Sequence, residues 1–200
     1  MLIAVLTLPD HAQRPCCQAQ DRLWQRYGLV SARALPPLIA LCLLDTRKAF
    51  SWTSAGSLLK ALHDTVLTPF TIAAPTRLAG ACAAAVQPAG VLQPLRNSLL
   101  DAVTGRRIQH PPYPPDSPPR PFEPFPYWGG NCSISTDTVF LACSEGCDLP
   151  EMPLGTEPLW PNPVRTAMLA VLEIATRLEE GHRLEVAWRV LAERKITAAG

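Results

Sequence analysis

The sequence predicts an α+β fold, and three observations carry that expectation. The 200 residues are 48% hydrophobic and 18% charged, the balance of a chain that buries a core rather than staying disordered. Short apolar runs bounded by Pro, Gly and Asp alternate with segments of helical spacing. The longest apolar stretch, Ala34 to Leu44, is far short of a membrane span and contains Pro36 and Pro37.

The elements follow in order. Leu2–Leu8 reads as a strand, because it is too short and lacks the basic flank of a signal-peptide core, and Pro9-Asp10 ends it. After Pro15, Leu23, Trp24 and Tyr27 stand at helical spacing over Gln18–Tyr27, with Gly28 as the stop. Further strands are expected at Leu38–Leu44, Phe70–Ala74, Cys82–Val86 and Thr138–Cys143. Ser51 or Thr53 caps a second helix through Leu58, Leu59 and Leu62. Leu92, Leu95, Leu99 and Val103 form the stripe of a third, which stops at Gly105.

Residues 109–126 break all periodicity with repeated prolines and read as a loop, in part polyproline II. Pro115-Asp116-Ser117-Pro118-Pro119-Arg120 has a form that aromatic-lined peptide-binding domains accept, which makes a protein partner one reading and a stiff surface loop the other. From Val164, Met168, Leu169, Leu172, Ala175 and Leu178 suggest a helix. Leu184, Trp188 and Leu191 suggest a second one after Gly181. The expected organisation is therefore an α+β domain over residues 1–160 and a C-terminal helical hairpin over 161–200. The hairpin either packs on the domain or serves as an arm for assembly.

A formal net charge of +1 gives no broad field toward phosphate backbones or anionic lipid, so any nucleic-acid contact needs a local cluster. His11, His63, His110 and His182 sit in no ligand spacing. His110 stands out because Arg106, Arg107 and Arg120 lie close in sequence and would form an anion site with it. The seven cysteines are an odd set; Cys143-x-x-x-Cys147 with Cys132 upstream lacks the paired spacing of a zinc site. Reduced thiols in a cytoplasmic chain are expected, with no membrane segment, metal or cofactor. Nucleophile elbows, Walker or Rossmann glycine loops and HExxH are all missing from the sequence. Tyr127 and Trp128 beside Gly129-Gly130 form an aromatic platform suited to base stacking or a peptide, or else a core edge at a turn.

This order of elements resembles the 2H phosphoesterase superfamily, which includes bacterial RNA ligase and cyclic-phosphodiesterase proteins. In that family a strand begins Pro-His-x-Thr/Ser-Leu; the matching text here is Pro36-Pro37-Leu38-Ile39-Ala40-Leu41. A later strand reads Arg-Pro-Phe-x-Pro-His in the family, and here Arg120-Pro121-Phe122-Glu123-Pro124-Phe125-Pro126-Tyr127. The resemblance implies a duplicated fold of two lobes, each an antiparallel sheet with flanking helices, over roughly residues 1–160. It also implies that both motif histidines are replaced, by Leu38 and Phe125, and the hydroxyl positions by Ala40 and Tyr127. Leucine and phenylalanine neither move a proton nor donate a hydrogen bond, so the implied phosphodiesterase chemistry is lost.

The expected function is therefore a non-catalytic binding or assembly module. Its candidate ligand-contacting residues are Arg106, Arg107, His110, Arg120, Tyr127 and Trp128, with RNA or a nucleotide as ligand, or a protein partner through the Pro-rich loop or the C-terminal helices. Two alternatives stay open: a hydrolase of RNA ends or 2′,3′-cyclic phosphates that uses His110 and its arginines, and an oligomer subunit held by the C-terminal helices.

Overall fold

The computed structural model describes residues 2–44, 52–78, 81–102, 137–143, 155–179 and 183–199. Eight strands form one sheet in the order β6-β3-β4-β5-β2-β1-β7-β8, with every neighbouring pair antiparallel. The strands are β1 (Leu2–Thr7), β2 (Leu38–Leu44), β3 (Phe70–Leu78), β4 (Ala81–Gln87), β5 (Thr138–Cys143), β6 (Trp160–Val164), β7 (Thr166–Glu179) and β8 (Arg183–Thr197). The helices are α1 (Asp10–Tyr27), the short α2 (Ser31–Ala34), α3 (Trp52–Ala61) and α4 (Gln93–Ala102). The expected antiparallel α+β class holds.

α1 starts eight residues earlier than the spacing after Pro15 suggests, at Asp10 against the expected Gln18. Pro9 precedes it in extended backbone, and Asp10 places an acid in the first turn, where the exposed N–H groups favour it. Pro15 stands inside the helix, and burial of Ala12 and Cys16 on either side of it holds the turn in place. At the other end Gly28 takes φ 68°, and its N–H donates to the Trp24 carbonyl.

The main core lies between the sheet and α1, α3 and α4. Cys16, Ala19 and Leu23, then Leu58, Leu59 and Leu62, then Leu95 and Leu99, meet Ala4, Leu6, Ile39, Leu41, Val139, Leu141, Leu169 and Val171 there. α1 lies against β5 and α4 against β2, while α3 packs on β7 and β8. The opposite face holds a second, smaller cluster: Ile3, Val5, Leu35, Leu38, Ala40, Phe140, Ala170, Leu172 and Ile174.

The C-terminal helical hairpin is corrected by this structure. Residues 166–179 and 183–197 are strands paired along their whole length, Thr166 with Thr197 through Glu179 with Arg183. The physical reason lies in the two cores. Leu169 and Val171 enter the helix-side core while Ala170, Leu172 and Ile174 enter the other, so the strand is apolar on both faces and the alternation that marks a half-exposed strand is gone. Edge strand β6 carries Pro161 and Pro163, which a central strand does not accommodate.

Leu6 is fully buried in the main core of central strand β1. Leu6→Ala is expected to lower stability by about 2–5 kcal/mol, read from the midpoint of a urea unfolding curve against the unaltered chain.

Candidate functional site

The site expected at the start of β2 is built around a short seam between β2 and β5. Only two pairs form there, Leu38 with Phe140 and Ile39 with Val139. Residue alternation then sends Ile39, Leu41, Val139 and Leu141 to the helix side and Leu38, Ala40 and Phe140 to the opposite face. One step beyond the seam come Ala40 and Thr138. Leu38, Ala40 and Phe140 are buried, at 0, 3 and 1% exposure, while Thr138 is half-buried. The apolar residues clustered with Leu38, Ala40 and Phe140 are Ile3, Val5, Leu35, Ala170, Leu172 and Ile174.

Where the β2–β5 ladder ends, side chains from the helices take its carbonyls. Arg96 on α4 donates from Nη2 to the Ala40 carbonyl at 3.3 Å and from Nη1 to Asp137 Oδ1. Asp137 Oδ2 accepts the Leu92 N–H at 3.3 Å, and the Asp137 carbonyl accepts the Val86 N–H at 2.8 Å. Arg96 and Asp137 are both buried. From the other direction Gln20 on α1 donates through Nε2 to the carbonyls of Leu35 at 3.1 Å and Leu141 at 3.2 Å. Sequence reasoning missed this network. The signal was a charged residue, Arg96, inside the Leu92–Leu95–Leu99 stripe, where an exposed side chain has no place.

Of the sequence-predicted site residues, the structure places Leu38 and Ala40 side by side on the apolar face. Phe125, Tyr127, Trp128, Arg106, Arg107, His110 and Arg120 lie outside the described residues, as do the Pro-rich segment and His182. His11 is exposed at the start of α1, with its ring 5.2 Å from that of Trp160. His63 is exposed and meets the Asp64 carboxylate at 3.0 Å. Among the described residues no three His, Cys, Asp or Glu side chains stand together as a metal site, and no helix is long and apolar enough to cross a membrane.

Cys16, Cys17, Cys42 and Cys82 are free thiols. Burial pushes Cys82 up to about 12. Burial, and to a lesser degree the adjacent Cys17, does the same to Cys16. Neither is a nucleophile near neutral pH. Elsewhere a cleft of about 570 Å³ opens between Pro69, Phe70, Thr71, Val86, Pro88 and Pro163. Among the described residues its walls hold no titratable group.

No family model and no curated protein matches the chain. Two solved structures are similar to it. A crystal structure of a phosphoesterase covers 98% of this chain and 98% of its own, at 15% identity and a TM-score of 0.47. The crystal structure of E. coli LigT in apo form covers 98% of this chain and 96% of its own, at 14% identity and a TM-score of 0.44.

Two outcomes are expected. Arg96→Met leaves the Asp137 carboxylate buried without its cation and costs about 3–5 kcal/mol, while Arg96→Met with Asp137→Leu recovers much of that loss; urea unfolding of the single and double variants measures both. Stability also falls in alkali. The unfolded thiols ionise from about pH 9 while Cys16 and Cys82 stay protonated in the fold up to about 12. The unfolded state therefore binds fewer protons in that window, and stability present below pH 9 is lost as pH rises through it. Thermal melts of the unaltered chain and of Cys82→Ala at pH 8 and above show the slope, which is shallower in the variant.

Proposed function

We propose that this chain is a non-catalytic binding or assembly module on a duplicated, 2H phosphoesterase-like fold. Duplication is supported by the strand order read outward from the seam: β2, β1, β7 and β8 to one side, β5, β4, β3 and β6 to the other. β1–α1–β2 and β4–α4–β5 each run strand, helix, antiparallel neighbouring strand, and each helix lies against the last strand of the other unit. Under that relation Leu38-x-Ala40 on β2 corresponds to Thr138-x-Phe140 on β5. The second motif position then falls on β5 rather than on Phe125 and Tyr127.

One observation carries the reading: at the positions where the resembled enzymes hold their motif residues, Leu38, Ala40 and Phe140 are buried hydrocarbon side chains. General acid–base work on a phosphate needs a proton carrier within hydrogen-bond reach, and hydrocarbon side chains supply none. Desolvating a phosphate against Leu38, Ala40 and Phe140 is unfavourable. A ligand that meets Leu38, Ala40 and Phe140 is neutral and apolar at that contact, with Thr138 one step along β5 and Thr7 paired with Leu38 on β1. The free thiols support a reducing compartment, and we place the chain in the cytoplasm as part of the same reading.

The purified full chain incubated with a 2′,3′-cyclic nucleotide is expected to give no turnover above buffer. Turnover that disappears in His110→Ala would overturn the proposal in favour of a hydrolase built on His110 and its neighbouring arginines.

A further inference from the structure

α1 turns Ala12, Cys16, Ala19, Gln20 and Leu23 to the interior. Its exposed side carries Arg14, Gln18, Arg22 and Arg26 at four-residue steps, and all four are exposed. Each step advances about 6 Å along the axis and winds about 40° round it, so Arg14 to Arg26 is one slowly winding line about 18 Å long. Asp10 closes the row at the start of the helix.

The arginines of this row differ from those elsewhere in how they are partnered. Arg33 meets the Asp21 carboxylate at 3.1 Å, Arg96 is held by Asp137 and Arg189 by Glu173, and Arg194 donates to the carbonyls of Leu59 and His63. Among the described residues no carboxylate stands within ion-pair distance of Arg14, Arg22 or Arg26. Arg26 lies beside the Tyr27 ring, 5.7 Å from its centroid. Arg22 and Arg26 are like charges one turn apart, an arrangement that weakens a helix and that a bound anion relieves. With a formal net charge of +1 over the whole chain, the row is a local concentration of positive charge rather than part of a general excess.

We propose that this row binds the phosphate backbone of a single-stranded nucleic acid, with one phosphate at each of Arg14, Arg22 and Arg26. A guanidinium fork pairs with two oxygens of a phosphate, and backbone binding needs little beyond such charges. A protein partner needs apolar anchors at the centre of its interface, and a bilayer needs an apolar stripe to take up. The row has neither, since its fourth member is Gln18 and the exposed residues beside it are Asp21 and Gln25. The exposed ring of Trp24 lies on the far flank of the helix, beneath the Arg33 guanidinium at 5.9 Å. A flexible strand follows a winding line of charges, whereas a stiff duplex meets a convex helix at fewer points. The site is on the helix layer, away from Leu38, Ala40 and Phe140, and stands whether or not that face turns over a phosphate.

Anisotropy of a fluorescein-labelled oligothymidylate of about 12 nucleotides, titrated with the full chain at about 20 mM salt, is expected to show saturable binding; none at that salt overturns the proposal. Raising the salt is expected to weaken binding with a log–log slope of about −2, the value for three single-strand phosphates. Arg22→Gln with Arg26→Gln, both at exposed positions, is expected to keep the far-ultraviolet circular dichroism spectrum, weaken binding at least about tenfold and flatten the slope to about −0.7. Lys60→Gln with Arg165→Gln removes the same charge from exposed positions elsewhere and is expected to change the affinity less than about twofold. Equal losses in the two double variants overturn α1 as the site. A duplex of the same length, polyglutamate or phosphatidylserine vesicles bound more tightly than the oligonucleotide overturns the single strand as its occupant.

Discussion

The fold depends on how two strands are held together where they barely pair. β2 and β5 share two residue pairs, yet they join the two sides of an eight-stranded sheet. Where the ladder stops, Arg96 takes the Ala40 carbonyl and Gln20 takes the Leu141 carbonyl. Each side chain comes from a helix that belongs, in chain order, to the other side of the seam. A buried arginine–aspartate pair is a weak source of net stability, because desolvation offsets most of the attraction. What Arg96 and Asp137 supply is geometry. The carboxylate receives the Leu92 N–H beside α4 while its own carbonyl receives Val86 from β4, so one ion pair sets the positions of α4, β2, β4 and β5 together.

That arrangement separates polarity from the apolar face. Arg96 and Gln20 donate to backbone carbonyls from the helix side and Asp137 accepts from Arg96 and the Leu92 N–H, so these polar groups are engaged in holding the seam. Leu38, Ala40 and Phe140 project to the opposite side, against Val5, Ala170 and Leu172. A pleated strand sends neighbours to opposite faces, so β2 presents Ile39 and Leu41 to one chemistry and Leu38 and Ala40 to another within four residues. The reading of this chain as a non-catalytic module follows from which of those two faces carries the groups that hydrogen-bond.

Much of the sheet was legible in the sequence because β1, β2, β4 and β5 are short apolar runs closed by turn residues. β7 and β8 were not. Met168, Leu169, Leu172 and Ala175 satisfy helical spacing, and Leu, Ala, Glu and Arg favour helices in isolation, so the local signal pointed the wrong way and burial on two faces overrode it. The site was half legible. Leu38 and Ala40 could be placed from the Pro36-Pro37 text, but the partner strand could not, since nothing local says that β5, a hundred residues on, lies beside β2. Arg96 was visible as a charge within an apolar stripe. Its partner Asp137 stands 41 residues away, beyond what any periodicity reports.

The same two-faced burial that hid β7 is confined, among the described residues, to the stretch beside β1 and to Ile174 just past it. From Met168 to Glu173 the strand is supported by β1 and by cores on both faces, and past Glu173 the β1 support stops while the β7–β8 pairing continues.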